Sequence, residues 1–202
     1  GTRADDGSAT DLTLIPYALW DNRSPDEDSV MTVMIPETAE ACARPLDRGR
    51  LGAAELSCSY VNPNDTTDAV RDGRLGSGSG DQGIPRFTWW GHKGTQEWIA
   101  YTFNSPQTFW RSDVLWFDDS AAGGGCAMPR AFHLEWWDAP TERWQAVALD
   151  ADYQRAGDRF ATHHPSVVRF APVTTTRIRL VVELAPERSC GILEWRLPEM
   201  VE

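Results

Sequence analysis

No stretch of this sequence approaches the roughly 20 consecutive apolar residues that a membrane-spanning helix needs. The N-terminus, Gly1-Thr2-Arg3-Ala4-Asp5-Asp6, also lacks the charge layout and apolar centre of a signal peptide, so the chain reads as a mature or excised segment. Basic residues are scarce. Nineteen Lys and Arg against 30 Asp and Glu leave a formal net charge of −11, which argues against a nucleic-acid partner held through clustered cations. No C-x-x-C spacing joins any of the four cysteines, Cys42, Cys58, Cys126 and Cys190, which removes zinc-ribbon and thioredoxin-type readings. No G-x-S-x-G elbow occurs, and Gly76-Ser77-Gly78-Ser79-Gly80 has neither the lysine nor the strand-to-helix setting of a phosphate loop. Sustained helical periodicity and fixed-period repeats are both missing, which disfavours α/β folds, propellers and solenoids.

What is present is aromatic. Ten tryptophans in 202 residues far exceed ordinary usage, and without a long apolar run they point to stacking surfaces as well as core. A hydrophobic fraction of 41% with 24% charged residues is that of a folding, globular chain. Length permits one good core plus an appendage. The acidic balance suits neutral glycans or Ca²⁺ as partners.

Turn formers divide the chain. Two apolar runs, Leu12 to Trp20 and Val30 to Pro36, flank the polar stretch Asp21 to Ser29 and read as a hairpin, with Pro16 making the first strand an edge or irregular one. Two strands are marginal alone, so residues 1–36 need another domain to pack on. Residues 37–52 read as a linker. From residue 53 to 202 the pattern is short strands bounded by Gly, Pro, Asn or Asp: Ala54–Tyr60, Phe87–Trp90, Glu97–Phe103, Phe109–Phe117, Ala131–Trp137, Trp144–Leu149, Val167–Phe170, Arg177–Leu184 and Ile192–Leu197. Such spacing predicts an all-β antiparallel sandwich or jelly roll, with one helical turn near Thr66 to Val70.

Chemistry-bearing residues are few. His163-His164 are adjacent, so on a strand they face opposite ways and read as a solvated loop rather than a metal pair. Thirty acidic residues make any carboxylate pair meaningless without a measured separation, and no catalytic residue is assigned. Asp68 to Gly73, followed by Ser77 and Ser79, offers hard oxygens of the kind Ca²⁺ prefers, although its spacing is first that of an Asp-Gly turn. Trp89-Trp90, then Gly91-His92-Lys93-Gly94, sets two indoles, an imidazole and an ammonium at a strand end. Alternation there buries one indole, Trp89, and frees Trp90 beside the loop. Trp136-Trp137 repeats the arrangement. Asp118-Asp119 and the Gly-rich run to Cys126 form a polar loop suited to sugar hydroxyls.

The runs Val61-Asn62-Pro63-Asn64-Asp65-Thr66-Thr67-Asp68-Ala69-Val70-Arg71-Asp72-Gly73 and Gly83-Ile84-Pro85-Arg86-Phe87-Thr88-Trp89-Trp90-Gly91-His92-Lys93-Gly94-Thr95-Gln96-Glu97-Trp98 resemble the discoidin-type module at the C-terminus of bacterial β-L-arabinofuranosidases. Trp116 to Asp119, Gly124-Gly125-Cys126, Pro172 to Thr176 and Gly191 to Arg196 continue the likeness in order, over roughly residues 53–198. Leu12 to Arg23 resembles the end of the β-sandwich that follows the catalytic barrel in the same enzymes. The resemblance implies an eight-stranded discoidin-like (galactose-binding-like) jelly roll, a remnant of a preceding domain in residues 1–36, and a secreted parent hydrolase whose catalytic barrel lies upstream. It also implies a structural Ca²⁺, with Asp72 and Glu194 as carboxylate ligands and Ser77 beside them, and ligand-binding loops at the opposite end. The Thr usual after the Asp-Gly is replaced by the Gly76-Ser77-Gly78 region.

Two functions follow as expectations. The first is non-catalytic binding of arabinose- or galactose-containing plant polysaccharide, with Trp90 and Trp137 as stacking faces and His92, Lys93, Asp118, Asp119 and Arg130 as hydrogen-bonding groups. The second is a structural module that braces a catalytic domain without binding glycan. If the loops of Cys126 and Cys190 share one end of the sandwich, with Cα atoms within about 7 Å, the two can be bridged, leaving Cys42 and Cys58 as a pair or as free thiols.

Overall fold

The structure is a computed structural model and describes residues 49–149 and 165–198. The expected hairpin, the linker up to residue 48, Cys42 and the His163-His164 pair lie outside the described residues. A one-turn helix α1 (Gly49–Ala53) leads into seven strands: β1 (Glu55–Cys58), β2 (Phe87–Thr88), β3 (Gln96–Phe117), β4 (Ala131–Asp138), β5 (Arg143–Ala146), β6 (Ser166–Glu183) and β7 (Gly191–Arg196). Every pairing is antiparallel, in the order β2-β7-β3-β6-β4-β5, with β1 added to β3. The all-β sandwich expected from the turn spacing is therefore the fold observed.

Its central device is that β3 and β6 each belong to two layers. Gln96–Thr102 pairs with Arg177–Glu183 in the layer that also holds β1, β4 and β5, whereas Arg111–Val114 pairs with Ser166–Arg169 in the layer of β7 and β2. Register slips between Thr102 and Gln107 and between Phe109 and Arg111 mark the corner where the two-strand ribbon turns over. Ring contacts confirm that the ribbon doubles back. Tyr101 meets Trp195 at 4.7 Å between centroids, Trp116 meets Phe132 at 5.2 Å, and Phe103 meets Phe109 across the corner at 5.3 Å.

Nine strands were expected from residue 53 on and seven are found among the described residues, because two pairs have fused. Asn104-Ser105-Pro106 and the Ala171 to Thr176 segment carry turn residues, but these bend a continuous strand instead of ending it. The helical turn expected near Thr66 is a 3-10 turn at Thr67–Arg71, capped by the Thr66 hydroxyl accepting from the Asp68 amide at 3.2 Å.

Period-2 alternation fills the space between the layers: Ile99, Tyr101 and Phe103 from β3, Ile178, Leu180 and Val182 from β6, and Trp116 and Trp195 are all buried. Two core indoles would leave costly unpaired N–H groups, and serines on neighbouring strand segments answer them: Trp116 Nε1 donates to Ser166 Oγ and Trp195 Nε1 to Ser112 Oγ, both at 3.0 Å. The strand β7 is buried on both faces, since Leu75 and Ile84 pack a second small cluster of Leu115, Phe117, Cys126 and Leu193 against its outer side.

The Cys126–Cys190 bridge is not formed, and Cys58, Cys126 and Cys190 are free thiols. Cys190 packs into the main core while Cys126 belongs to the outer cluster, so the two side chains serve different faces of β7 although Cys126 bridges by backbone to Ser189. Burial pushes both thiols up, Cys126 to about 12.

Interlayer packing should dominate stability. Leu180→Ala, at a fully buried β6 position, is expected to cost about 2–5 kcal/mol in urea unfolding. Tyr101→Phe, which removes only the hydroxyl donated to the Trp195 carbonyl at 3.2 Å, should cost about 1 kcal/mol.

Candidate functional site

The fold-over brings the loop ends of both layers together, where β3 begins and ends, β6 ends and β7 starts. There the chain after β1 turns sharply: Asn62 Oδ1 accepts from the Asn64 amide at 2.9 Å, and the Asp65 amide donates to the Asn62 carbonyl at 2.9 Å. Asp65 is then fixed against β2, taking the Thr88 hydroxyl and standing 3.7 Å from Arg86 Nε. The Arg86 guanidinium lies 4.9 Å from the Phe117 ring centroid.

Trp89 is fully buried, edge-on to Phe87 at 4.8 Å, whereas Trp90 is 46% exposed and is the exposed large hydrophobic among the described residues. The indole of Trp90 is seated on Gly125, where an added Cβ would stand 2.1 Å from the ring. The carboxylate of Asp119 is seated likewise on Gly124, where a Cβ would lie 2.0 Å away, and Asp119 Oδ1 accepts the Cys126 amide at 2.9 Å. The run from Gly123 to Gly125 is thus a close-approach surface for two side chains, which explains why no larger residue stands at Gly124 or Gly125. Asn62, Asn64, Asp65, Arg86, Thr88, Trp90, Phe117, Asp119 and Cys126 together line a pocket of ≈ 220 Å³. That is smaller than the 300–1,000 Å³ usual for drug-sized ligands and suits one ring.

The expected site residues are divided by the structure. Trp90 and Asp119 share the pocket. Asp118 points into its own loop, accepting from the Ser120 amide and hydroxyl and from the Met128 amide, so it shapes the loop beside Asp119. His92 stacks on Tyr60 at 4.1 Å and meets Glu97 Oε1 through Nδ1 at 2.7 Å, and Lys93 is exposed on the same loop. Arg130 lies at the same end but pairs with Glu183 at 3.1 Å and does not line the pocket. Trp137 is at the other end of β4, beside the corner, where Thr175 Oγ1 donates to its carbonyl at 2.7 Å; Arg177 stacks 5.1 Å from its ring and Trp144 meets it edge-on.

The expected metal ligands are also split. The Gly73 amide donates to Glu194 Oε2 at 3.0 Å, which draws the Asp72 turn to β7, and Arg196 Nε reaches Glu194 Oε1 at 3.1 Å. Burial pushes the Glu194 carboxyl up to about 7, with Arg196 opposing and Asp72 reinforcing the shift. Ser77 turns instead to Asp81, donating both its amide and its hydroxyl to Oδ2. No group of three or more His, Cys, Asp or Glu gathers as a ligand set among the described residues.

Asn62, Asn64, Asp65, Arg86 and Thr88 escaped the sequence reading. The Asn-Pro-Asn-Asp cluster carried a turn signal but no hint of a partner, and Arg86 and Thr88 join it only in the fold, through the Asn62 amide to Thr88 carbonyl bond at 3.0 Å, the Thr66 amide to Arg86 carbonyl bond at 3.3 Å and the contacts of Asp65.

Neither a family model nor a curated protein matches the sequence. Solved structures do match by shape: a chain of the Streptococcus pneumoniae β-galactosidase BgaA at TM-score 0.58 and 16% identity, covering 73% of this chain and 92% of that one. The family 32 carbohydrate-binding module of Clostridium perfringens NanJ, solved with galactose, matches at 0.53 and 10% identity over 73% and 95%. A further C. perfringens module, CpGH89CBM32-5, solved with GalNAc-β-1,3-galactose, matches at 0.51 and 11% over 72% and 95%. The fold is a galactose-binding-like β-sandwich, as in these solved structures. No helix among the described residues is long and apolar enough to cross a membrane.

One cluster beside the pocket has a pH consequence. Burial would raise the Glu97 carboxyl, but hydrogen bonds from Ser59, Thr95 and His92 outweigh it and hold the group below its ordinary value. A lowered folded pKa means stabilisation that is complete above the unfolded value and drains away as pH falls through the folded one. Glu97→Gln should therefore lower stability by about 1–3 kcal/mol at neutral pH and flatten the acid limb of a melting-temperature series. An unchanged acid limb would show that the cluster does not report on folding.

Proposed function

We propose that this module is a non-catalytic carbohydrate-binding unit whose loop-end pocket holds one sugar ring against Trp90. The observation that carries the reading is an exposed indole held on a glycine seat at the wall of a pocket otherwise rich in Asn, Asp, Arg and Thr groups. An apolar face plus converging polar groups is the chemistry that a pyranose or furanose requires, with C–H faces to stack and hydroxyls to bond. The two pocket carboxylates are committed elsewhere, Asp65 to Arg86 and Thr88 and Asp119 to the Cys126 amide, so neither is poised as a general acid. Galactose recognition by the similar NanJ and CpGH89CBM32-5 modules supports a sugar as ligand. The motif resemblance extends the proposal to a secreted parent of the β-L-arabinofuranosidase type acting on arabinose- or galactose-containing plant polysaccharide.

Calcium belongs to the same proposal. The Gly73 amide ties the Asp72 turn to Glu194 of β7, Asp72 adds its charge to the field at Glu194, and burial disfavours the charge on Glu194, which a hard cation would relieve. Ser77, bound to Asp81, takes no part in it. Chelator should then lower the melting temperature, and Asp72→Ala should abolish that response. A melting curve indifferent to chelator returns the segment to an Asp-Gly turn.

The binding test is Trp90→Ala. Calorimetry or affinity electrophoresis against arabinose- and galactose-containing polysaccharides should show binding lost, while unfolding free energy changes by less than about 1 kcal/mol because the ring is half exposed. A fully buried tryptophan such as Trp116 should cost roughly 3–5 kcal/mol on the same replacement. Binding that survives Trp90→Ala, or a wild-type chain that binds none of the panel, would leave the bracing function as the reading to pursue.

A further inference from the structure

The charge inside the pocket limits which sugars it accepts. Its lining carries two carboxylates, Asp65 and Asp119, and one guanidinium, Arg86. Arg86 is already engaged, against Asp65 at 3.7 Å and over the Phe117 ring. Asp119 cannot swing aside: its carboxylate rests on Gly124, Oδ1 accepts the Cys126 amide at 2.9 Å, and Oδ2 accepts from Gln82 Nε2 at 3.4 Å. Arg188, which donates to the Gly124 carbonyl, does not line the pocket.

We infer that Asp119 is a specificity-determining residue that makes this pocket select neutral sugars and reject those bearing a carboxylate, such as uronic acids. The inference rests on the carbohydrate reading of the same pocket and adds its charge class. Cys126, on the pocket lining, is exposed to the same charges. After burial, Asp119 raises its thiol most, a hydrogen bond with Ser189 lowers it, and Asp65 raises it ahead of Arg86, which lowers it. A ligand carboxylate entering this space would leave water and meet a fixed like charge with no uncommitted cation among the lining residues, which costs binding.

The experiment is calorimetry of the full chain with galactose, arabinose and galacturonate, at low and at physiological salt. The wild type should bind galactose or arabinose, with galacturonate weaker by roughly ten- to hundredfold, and the gap should narrow as salt screens the repulsion. Asp119→Asn keeps an oxygen acceptor for the Cys126 amide while removing the charge, so it should close most of the gap by strengthening galacturonate. Trp90→Ala should weaken all ligands alike. Equal wild-type affinities for neutral and acidic sugar overturn the inference, and so does a gap that Asp119→Asn leaves unchanged. If Asp119→Asn fails to fold, the wild-type salt series decides, since a gap insensitive to salt is not electrostatic. Failure of the wild type to bind either neutral sugar overturns the carbohydrate reading itself, a result distinct from loss of selectivity.

Discussion

The antiparallel ribbon of β3 and β6, folded over at its middle, is the constraint on which the rest of the molecule depends. Because both strands pass from one layer into the other, neither layer can slip relative to its partner without breaking pairing along the whole ribbon. The same turn-over sets Tyr101 against Trp195 and Trp116 edge-on to Phe132, so the core is closed by residues that are neighbours through the corner rather than along the chain. It also returns the ends of the strands to one side, which is where the pocket forms.

At that side the architecture depends on missing atoms. Gly124 and Gly125 leave room for a carboxylate and an indole that no β-carbon would tolerate. Side chains seated this way lose little freedom on meeting a ligand, and preorganisation of this kind preserves affinity in a small pocket. The loop is held from behind: Asp118 bonds the Ser120 and Met128 segments, Ser189 donates to the Gly125 carbonyl, and Ala127 to the Ser189 carbonyl. A run that looks flexible in composition is thus a hydrogen-bonded seat. The charge imbalance inside the pocket has the same origin, because the seat fixes Asp119 in the lining.

Much of the fold was legible because strand alternation and turn residues are local properties. The turn-bounded runs Glu97–Phe103, Arg177–Leu184 and Ile192–Leu197 marked real strands, and Trp89-Trp90 divided into one buried and one exposed ring, although both lie past the end of β2 and Trp90 owes its exposure to the turn it occupies. Reading Asn104-Ser105-Pro106 and Pro172 as strand ends was incorrect, since a corner between layers uses the same residues as a turn between strands. The Cys126–Cys190 bridge failed for a related reason: sharing an end of the sandwich does not place two side chains on the same face of β7.

The sequence by itself determined the all-β class, the scarcity of cationic surface, the candidate loop at Trp90 and the candidate loop at Asp118-Asp119, because each rests on composition or on residues within a few positions of one another. Only the tertiary structure decided that Trp90 and Asp119 share one pocket with Asn62, Asn64, Asp65, Arg86 and Thr88, while Arg130 stays outside it and Trp137 lies at the far end of β4. Those groupings depend on which strands pair and where the ribbon turns over, contacts separated by tens of residues that leave no local pattern to read.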